Sequence, residues 1–351
     1  MTKLWAILTV VAATAPAFAQ DKPEDPAKKA LKYLQDQMKS SKSWAGFAER
    51  VFAGFAFMAA GSTPTEGDYS AELNSCIDTF IRGGGGSQQE NWYYALVGLF
   101  LAEAHKKWPS DDKAKRLEEI VARIKETQEA TGGWSHHKGF AYNLGGRTVP
   151  DLGIVTGLIL AALGNITASG VDVPDDVVTR ALTYCNKISD GAGLIYGTNN
   201  PVPDMGCTRG AGVLIGLHFM NNRNDIFGKV AKGLRERVKQ LEQGHAFPPI
   251  HFFNSAVGNY LAGQFGAFKA EWISKLLAQR ESDGSIWLKN HEKIDYEKNQ
   301  LKSNVIGTAV LALILQLEKD HVFKAKPKPK PAADGAKPEP SGGSPFRKKD
   351  K

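Results

Sequence analysis

Two stretches of the chain, QEATGGWSH at residues 128–136 and QRESDGSIW at residues 279–287, follow the same pattern. Each ends a charged segment with Gln, continues through acidic and small residues, and closes on Gly and Trp. A signature that recurs within one chain indicates a structural unit that is itself repeated. The unit therefore has to include the segments on either side of these two stretches.

The chain around these stretches alternates between two kinds of helical segment. Charged segments place their apolar residues on one stripe, as Leu117, Ile120 and Ile124 do within residues 111–128. Other segments, such as residues 152–164, are apolar on every side, so they must be buried all round. The charged segments are 26–39, 68–82, 111–128, 175–188, 225–242 and 268–280, and they alternate with apolar segments at 45–60, 91–107, 151–164, 208–221, 251–265 and 304–318.

This alternation predicts the fold class. Charged–apolar pairs that recur at a period of roughly 50 residues are typical of repeated helical hairpins. Because the apolar helices have no face left for solvent, they fit an inner ring of helices enclosed by an outer ring. We therefore expect an all-α (α/α)6 toroid of six helical hairpins. Glycines in the inner segments, each costing up to about 1 kcal/mol of helix propensity, would let neighbouring backbones approach closely: Gly54, Gly98, Gly157, Gly212, Gly216, Gly258 and Gly263.

Both ends of the chain differ from the repeats. Residues 1–19 combine an early Lys, a short apolar stretch and the small-x-small triplet Ala17-Phe18-Ala19, which is typical of a secretory signal peptide. An uncleaved N-terminal anchor is the alternative interpretation. Residues 324–351 are rich in Pro, Lys and Gly and predict a disordered tail. The toroid domain is thus expected over residues 20–323, in an exported protein of the periplasm or the extracellular space.

The net charge of +7 is concentrated in the tail, where nine basic residues face three acidic ones. The repeat region is close to neutral, which argues against a nucleic-acid-binding protein, because such proteins concentrate basic residues on one face. The basic tail would suit contact with an anionic surface. A tail that only keeps the protein soluble is the alternative.

Cysteines and histidines give weaker indications. Cys76, Cys185 and Cys207 form no CxxC pair, and an exported protein is expected to join two of them, for which Cys185 and Cys207 are our prediction. The adjacent His136 and His137 have no acidic or Cys partner at ligand spacing. We interpret them as a pair of surface histidines.

The spacing Gln128-xxx-Gly132-x-Trp134 matches the QxxxGxW signature of squalene–hopene cyclases. The chain resembles the isoprenoid cyclase and protein prenyltransferase superfamily, and in particular exported bacterial proteins with prenyltransferase/squalene-oxidase repeats. Looser copies are Gln279 with Gly284 and Trp287, and Ser189-Asp190-Gly191 with Tyr196 in the place of the Trp. The resemblance implies that the Gln and Trp are structural corners rather than catalytic groups.

The toroid fold predicts where a functional site would lie. Inner helices of such a ring run parallel, so their unpaired N–H groups and positive dipole ends gather at one rim. An Asp at a helix start is usually an N-cap, and for Asp151 we favour this role over a catalytic one. Candidate acid, base or cation-stabilising groups at the inner-helix starts are Asp151, Asp204, Arg209 and His251, and candidate residues of a ligand cavity at the rim are Glu90, Asn91, Trp92, Tyr142 and Asn304.

The superfamily's known chemistries fit only in part. The DxDD acid of class II cyclases is absent from the sequence, which disfavours squalene cyclisation. Prenyltransferases hold zinc with Asp, Cys and His, and Asp204, Cys207 and His251 resemble this set, although the spacing is Asp-x-x-Cys instead of Asp-x-Cys. We expect no cofactor, with zinc at these three residues as the alternative.

Three functions remain open at this point. The favoured one is a non-enzymatic toroid that binds an apolar or peptide ligand at the rim. The second is an exported enzyme of the isoprenoid cyclase type. The third is a carbohydrate-active toroid, which would need paired carboxylates and aromatic platforms such as Trp92 and Tyr142.

Overall fold

A computed structural model describes residues 24–40, 46–84, 87, 89–144, 146–189, 193–198, 206–243, 248–288 and 303–324. The predicted signal peptide and residues 325–351 of the predicted tail lie outside these ranges. No helix within them has the length and apolar character needed to cross a membrane. Outer helices are α1 (Pro26–Ser40), α3 (Ser70–Ile81), α5 (Asp111–Thr127), α7 (Asp175–Lys187), α9 (Asp225–Glu236) and α11 (Phe265–Ala278), and inner helices are α2 (Phe47–Ala59), α4 (Glu90–Lys107), α6 (Gly153–Ala168), α8 (Gly206–Phe219), α10 (Pro248–Leu261) and α12 (Asn304–Ile314).

The inner helices form a closed ring. Each packs against the next in chain order, and α12 packs against α2. Helix α6 is buried along almost its whole length, whereas α5 buries one stripe and leaves its charged face in solvent. Short 3-10 helices at Val238–Gln243 and Leu317–Lys319 follow α9 and α12. The predicted α/α toroid with inner and outer rings is therefore confirmed.

The sequence pattern paired each charged helix with the apolar helix that follows it in the chain. The structure pairs it with a different inner helix. Outer helix α5 packs mainly on α4, α9 on α8, and α1 on α12, so each outer helix joins the inner helix that precedes it around the ring. For α5, the pairing follows the length of the connections: residues 108–110 link α4 to α5, whereas residues 128–152 link α5 to α6. A short connection favours packing of two helices as antiparallel neighbours. The long loops consequently collect at the end of the ring where the inner helices begin.

Glycines allow α6 and α8 to touch through their backbones. A Cβ atom at Gly164 would lie 2.3 Å from the carbonyl oxygen of Gly216, and one at Gly212 would lie 2.5 Å from the carbonyl carbon of Gly157. No side chain fits at such distances, so the predicted close approach is confirmed here. Gly263 differs, because it has a φ of +74°, meets no neighbour within 4 Å and follows the end of α10.

Buried hydrogen bonds hold together the corner that follows α5. The Gln128 side-chain amide donates to the carbonyl oxygens of Gly132 at 2.8 Å and Val177 at 3.0 Å. The indole N–H of Trp134 donates to the carbonyl oxygen of Ile124 at 2.8 Å. Gly132 has a φ of +94°, a conformation that favours glycine. The Gln and the Trp thus tie the end of a helix to the following turn.

A second corner, after α11, repeats this turn in a different register from the one predicted. The backbone N–H of Ile286 donates to the Thr308 hydroxyl at 3.0 Å. At the first corner, the backbone N–H of Trp134 makes the same bond to the Thr156 hydroxyl, also at 3.0 Å. Fully buried Ile286 therefore occupies the place of Trp134, and half-buried Trp287 does not.

The third copy is corrected in the same way. Ser189 pairs with Leu194 in a β-bridge, as Arg280 pairs with Ile286. Leu194 is fully buried, whereas Tyr196 is only half-buried. The buried apolar residue of this corner is thus Leu194 instead of the predicted Tyr196. Asp190 and Gly191 lie outside the described residues.

The predicted disulfide between Cys185 and Cys207 is not formed. Cys185 and Cys76 are free thiols with no exposed surface. Cys185 lies on the buried side of α7, and this helix packs against α6. Burial raises the pKa of the Cys76 thiol to about 12, which makes that thiol unreactive at neutral pH.

Candidate functional site

The long loops and the first turns of the inner helices form one end of the ring, here called the rim. Its described part includes residues 128–152, with a short hairpin of β1 (Tyr142–Leu144) and β2 (Arg147–Val149), and residues 193–198. The described candidate residues lie at or next to the starts of inner helices: Glu90, Asn91 and Trp92 in α4, Asp151 just before α6, Arg209 in α8, His251 in α10 and Asn304 in α12.

The candidate zinc ligands are only partly described. Asp204 and the side chain of Cys207 lie outside the described parts of the chain, and His251 is buried in α10. Within the described residues, no group of three or more His, Cys, Asp or Glu side chains could hold a metal ion. Zinc binding by Asp204, Cys207 and His251 therefore stays a prediction.

Asn91 holds the first long loop onto α4. Its side-chain amide donates to the Ser135 carbonyl oxygen at 2.9 Å, and its side-chain oxygen accepts from the Thr127 hydroxyl at 2.6 Å. Its backbone N–H donates to the His136 carbonyl oxygen at 3.1 Å. Asn91 has no exposed surface, so in this structure it positions the loop instead of facing a ligand.

Asp151 has a similar bracing role and is not an N-cap. Residue Leu152 caps α6, without any side-chain hydrogen bond. The Asp151 carboxylate accepts from the Tyr184 hydroxyl at 2.7 Å, from the Thr198 N–H at 2.7 Å and from the Thr198 hydroxyl at 2.8 Å. Burial, followed by the Asp151 charge, raises the pKa of Tyr184 well above its usual value. The carboxylate thus joins the loop before α8 to α7, and the favoured interpretation of Asp151 as an N-cap was wrong.

A line of three hydrogen-bonded side chains runs outward from α4. The Trp92 indole N–H donates to His136 Nδ1 at 2.7 Å, and His136 Nε2 lies 2.6 Å from the Tyr142 hydroxyl. The Trp92 and His136 rings also stack, with centroids 6.0 Å apart. His136 is only 6% exposed, so its interpretation as a surface histidine was wrong.

The direction of these hydrogen bonds follows from the donors. Burial lowers the pKa of His136 to about 4, and the nearby His137 contributes, so the ring is neutral at pH 7. Since an indole N–H can only donate, His136 Nδ1 accepts and Nε2 carries the proton. His136 therefore donates to Tyr142. The Tyr142 hydroxyl keeps its own proton for a further acceptor, because burial raises the pKa of Tyr142.

Aromatic side chains surround the Tyr142 ring. Phe140 meets it edge to face at 4.9 Å between centroids, and Tyr196 does so at 6.3 Å. The Arg209 guanidinium lies 5.2 Å from the centre of the Tyr196 ring, and this arginine is almost fully buried. Burial, followed by Tyr142, raises the pKa of Tyr196 to about 12. We call Trp92, His136, Phe140, Tyr142, Tyr196 and Arg209 the rim cluster.

Glu90 lies apart from the rim cluster. It lines a groove of about 550 Å³ on the outside of the ring, together with Tyr94, Arg116 and Glu119. Arg116 is already held there by Glu119 at 2.8 Å and by the Tyr93 hydroxyl at 3.2 Å. The two other candidates are not brought into the cluster by any described contact: His251 is buried and Asn304 is half-buried.

Residues 27–323 match a protein family that is described as a domain of unknown function, DUF6288. The chain belongs to this family. No curated protein matches the chain by sequence. The match begins in α1 and ends after α12, so it covers the toroid.

Solved structures share the fold at low sequence identity. A GH76A α-1,6-mannanase from Salegentibacter sp. HEL1_6 has a TM-score of 0.60 at 10% identity, over 84% of this chain and 100% of that chain. A polysaccharide lyase has a TM-score of 0.53 at 10% identity, over 84% of this chain and 96% of that chain. A type II terpene cyclase from Scytonema reaches a TM-score of only 0.35 at 12% identity, over 77% of this chain and 98% of that chain. The likeness to these proteins concerns the helical toroid alone.

Proposed function

We propose that the protein binds a carbohydrate chain at the rim cluster. The observation that carries the proposal is the hydrogen-bonded line from Trp92 through His136 to Tyr142, which directs a hydroxyl donor outward among aromatic rings. Sugars combine apolar C–H faces, which pack on aromatic rings, with oxygens that accept hydrogen bonds. Ligand sites in general pair apolar walls with a few well-placed polar groups.

This proposal replaces the apolar or peptide ligand that the sequence favoured. An apolar ligand offers the Tyr142 hydroxyl no acceptor, whereas a sugar oxygen does. The two toroid structures with TM-scores above 0.5 are both named for action on polysaccharides, which supports a carbohydrate. The isoprenoid cyclase hypothesis rests on the QxxxGxW motif, and that motif builds a corner here.

Affinity electrophoresis in gels that contain mannan, β-glucan, polygalacturonate or alginate tests the proposal. We expect at least one polysaccharide to retard the protein. Tyr142→Phe removes only the hydroxyl and should weaken binding roughly tenfold, the value of one hydrogen bond. Tyr94→Phe, in the outer groove, is the matched control and should bind like the unchanged protein. Retardation by none of the polysaccharides, or equal binding by the Tyr142 variant, would refute the proposal.

A further inference from the structure

The end of the ring opposite the rim is crossed by the last described residues. We call residues 320–323 the C-terminal strap. Asp320 reaches the Tyr260 hydroxyl of α10, and the His321 ring lies 3.1 Å from the Ala59 carbonyl oxygen at the end of α2. Val322 and Phe323 have no exposed surface, although their neighbours His321 and Lys324 are exposed. The strap therefore inserts two apolar side chains into the ring.

Phe323 occupies an apolar site between inner helices. Its ring centroid lies 5.0 Å from that of Phe55 in α2, 5.9 Å from that of Phe253 in α10 and 6.4 Å from that of Phe219 in α8. Three inner helices from different parts of the ring thus meet around one aromatic ring. We call this position the axial site.

The polar contacts of the strap oppose its release only weakly. The Phe323 N–H donates to Glu103 at 3.1 Å, but the same carboxylate also binds the Lys106 ammonium at 2.7 Å and the Asn165 amide at 3.4 Å. Release of the strap therefore leaves Glu103 paired. The contact between Tyr260 and Asp320 is exposed, and exposed contacts contribute little to stability.

The strap backbone is also strained. Asp320 has a φ of +58° and Phe323 a φ of +51°, in the left-handed region that disfavours residues with a side chain. The burial of Val322 and Phe323, together with the hydrogen bond from the Phe323 N–H to Glu103, opposes this strain and the lost freedom of the four strap residues. Segments held by so few contacts open locally, without unfolding of the whole domain.

We propose that the strap is a releasable plug and that the axial site, once vacated by Phe323, binds an aromatic group or another apolar group of similar size. In the structure, the Phe323 side chain itself fills this site. It lies at the other end of the ring from the rim cluster and is independent of carbohydrate binding. A cavity lined by apolar side chains stays dry and accepts small aromatic molecules.

Hydrogen–deuterium exchange of the full mature chain tests the release. We expect the backbone amides of residues 318–323 to exchange faster than those of α6 and α8, and independently of low urea concentrations. Phe323→Ala should accelerate exchange in the strap roughly 10- to 100-fold, the effect of losing one buried Phe side chain. Phe323→Leu, which keeps most of the apolar volume, should give a smaller acceleration and serves if the Ala variant does not fold.

Leu117→Ala is the control, because it leaves a cavity under α5 and lowers the stability of the whole ring. It should accelerate amide exchange in α6 and α8. The difference in exchange rate between these helices and the strap should then be smaller than in the unchanged protein. If strap and ring amides instead exchange together in every variant, the strap opens only with the whole fold and the proposal is wrong.

Benzene tests the axial site itself. We expect it to raise the melting temperature of the Phe323→Ala variant. In the unchanged protein, where it competes with Phe323 for the site, it should accelerate amide exchange in the strap. A variant whose melting temperature does not respond to benzene would show that the ring collapses into the vacated space, which would overturn the binding proposal.

Discussion

The two corners of the ring, at residues 128–136 and 280–288, share one turn and differ in what the turn supports. In both, a glycine with positive φ, Gly132 at +94° or Gly284 at +92°, lets the chain reverse. In both, the backbone N–H two residues later donates to a threonine hydroxyl of the following inner helix at 3.0 Å. The backbone of the corner is therefore independent of most of its side chains.

The side chains, by contrast, diverge completely. The first corner adds Gln128 and Trp134, which are buried and hydrogen-bonded, and then His136, which leads to Tyr142. The second corner has Ile286 in the place of Trp134 and an exposed Gln279. A repeated turn therefore sets the ring geometry, whereas of these two corners the first carries the polar and aromatic side chains of the rim.

The largest expected effect distinguishes the two tryptophans. Trp134→Ala should lower the free energy of unfolding by about 3–5 kcal/mol, because it leaves a large cavity and removes the bond to Ile124. Trp287→Ala should cost only about 1 kcal/mol, since this side chain is half-buried. Urea unfolding of both variants measures the difference. Equal losses would restore the alignment of Trp134 with Trp287 that the structure rejects.

A smaller effect depends on pH and belongs to the first corner alone. The pKa of His136 is lowered to about 4 in the folded state from 6.5, so the unfolded chain binds the proton more tightly. Stability is therefore complete above pH 6.5 and falls as the pH drops towards 4, by about 3 kcal/mol for this group.

His136→Phe should remove this histidine's share of the acid sensitivity, which unfolding curves between pH 7 and pH 4 would measure. The His137→Phe variant is the control, because His137 is less buried; it hydrogen-bonds to the adjacent Lys138 carbonyl and packs against the Phe140 ring. If the free energy of unfolding changed with pH by the same amount in the His136 variant and in the unchanged protein, groups other than His136 would cause the acid sensitivity.

Sequence periodicity was sufficient to predict the ring. Apolar residues on all sides of residues 152–164 required an inner helix, and Gly212 and Gly216 indicated the close contact with α6 that the structure contains. Such features are local, so a single sequence displays them. Connection length, which agrees with the partners of α5 and α9, was visible too, but the order of charged and apolar segments suggested the wrong pairing.

The rim cluster could not be predicted in the same way. His136 and its partner Trp92 are 44 residues apart, and no spacing rule connects a loop histidine to a helical tryptophan. Asp151 looked like a cap because caps occur at helix starts, yet its partners Tyr184 and Thr198 come from a later helix and loop. A buried Trp134 two residues before His136 was the one signal that this loop turns inward.

The smallest effect compares the two glutamines that opened the sequence pattern. Gln128→Ala should cost about 1–3 kcal/mol, because the carbonyl oxygens of Gly132 and Val177 would lose a donor within the buried corner. Gln279→Ala should change stability by no more than about 0.5 kcal/mol, since its amide is exposed and makes one bond of 3.3 Å to the Lys275 carbonyl oxygen. Thermal unfolding of both variants gives the comparison. If Gln279 proved as costly to replace as Gln128, the second corner would depend on its side chains as the first does, and the distinction between the two corners would fail.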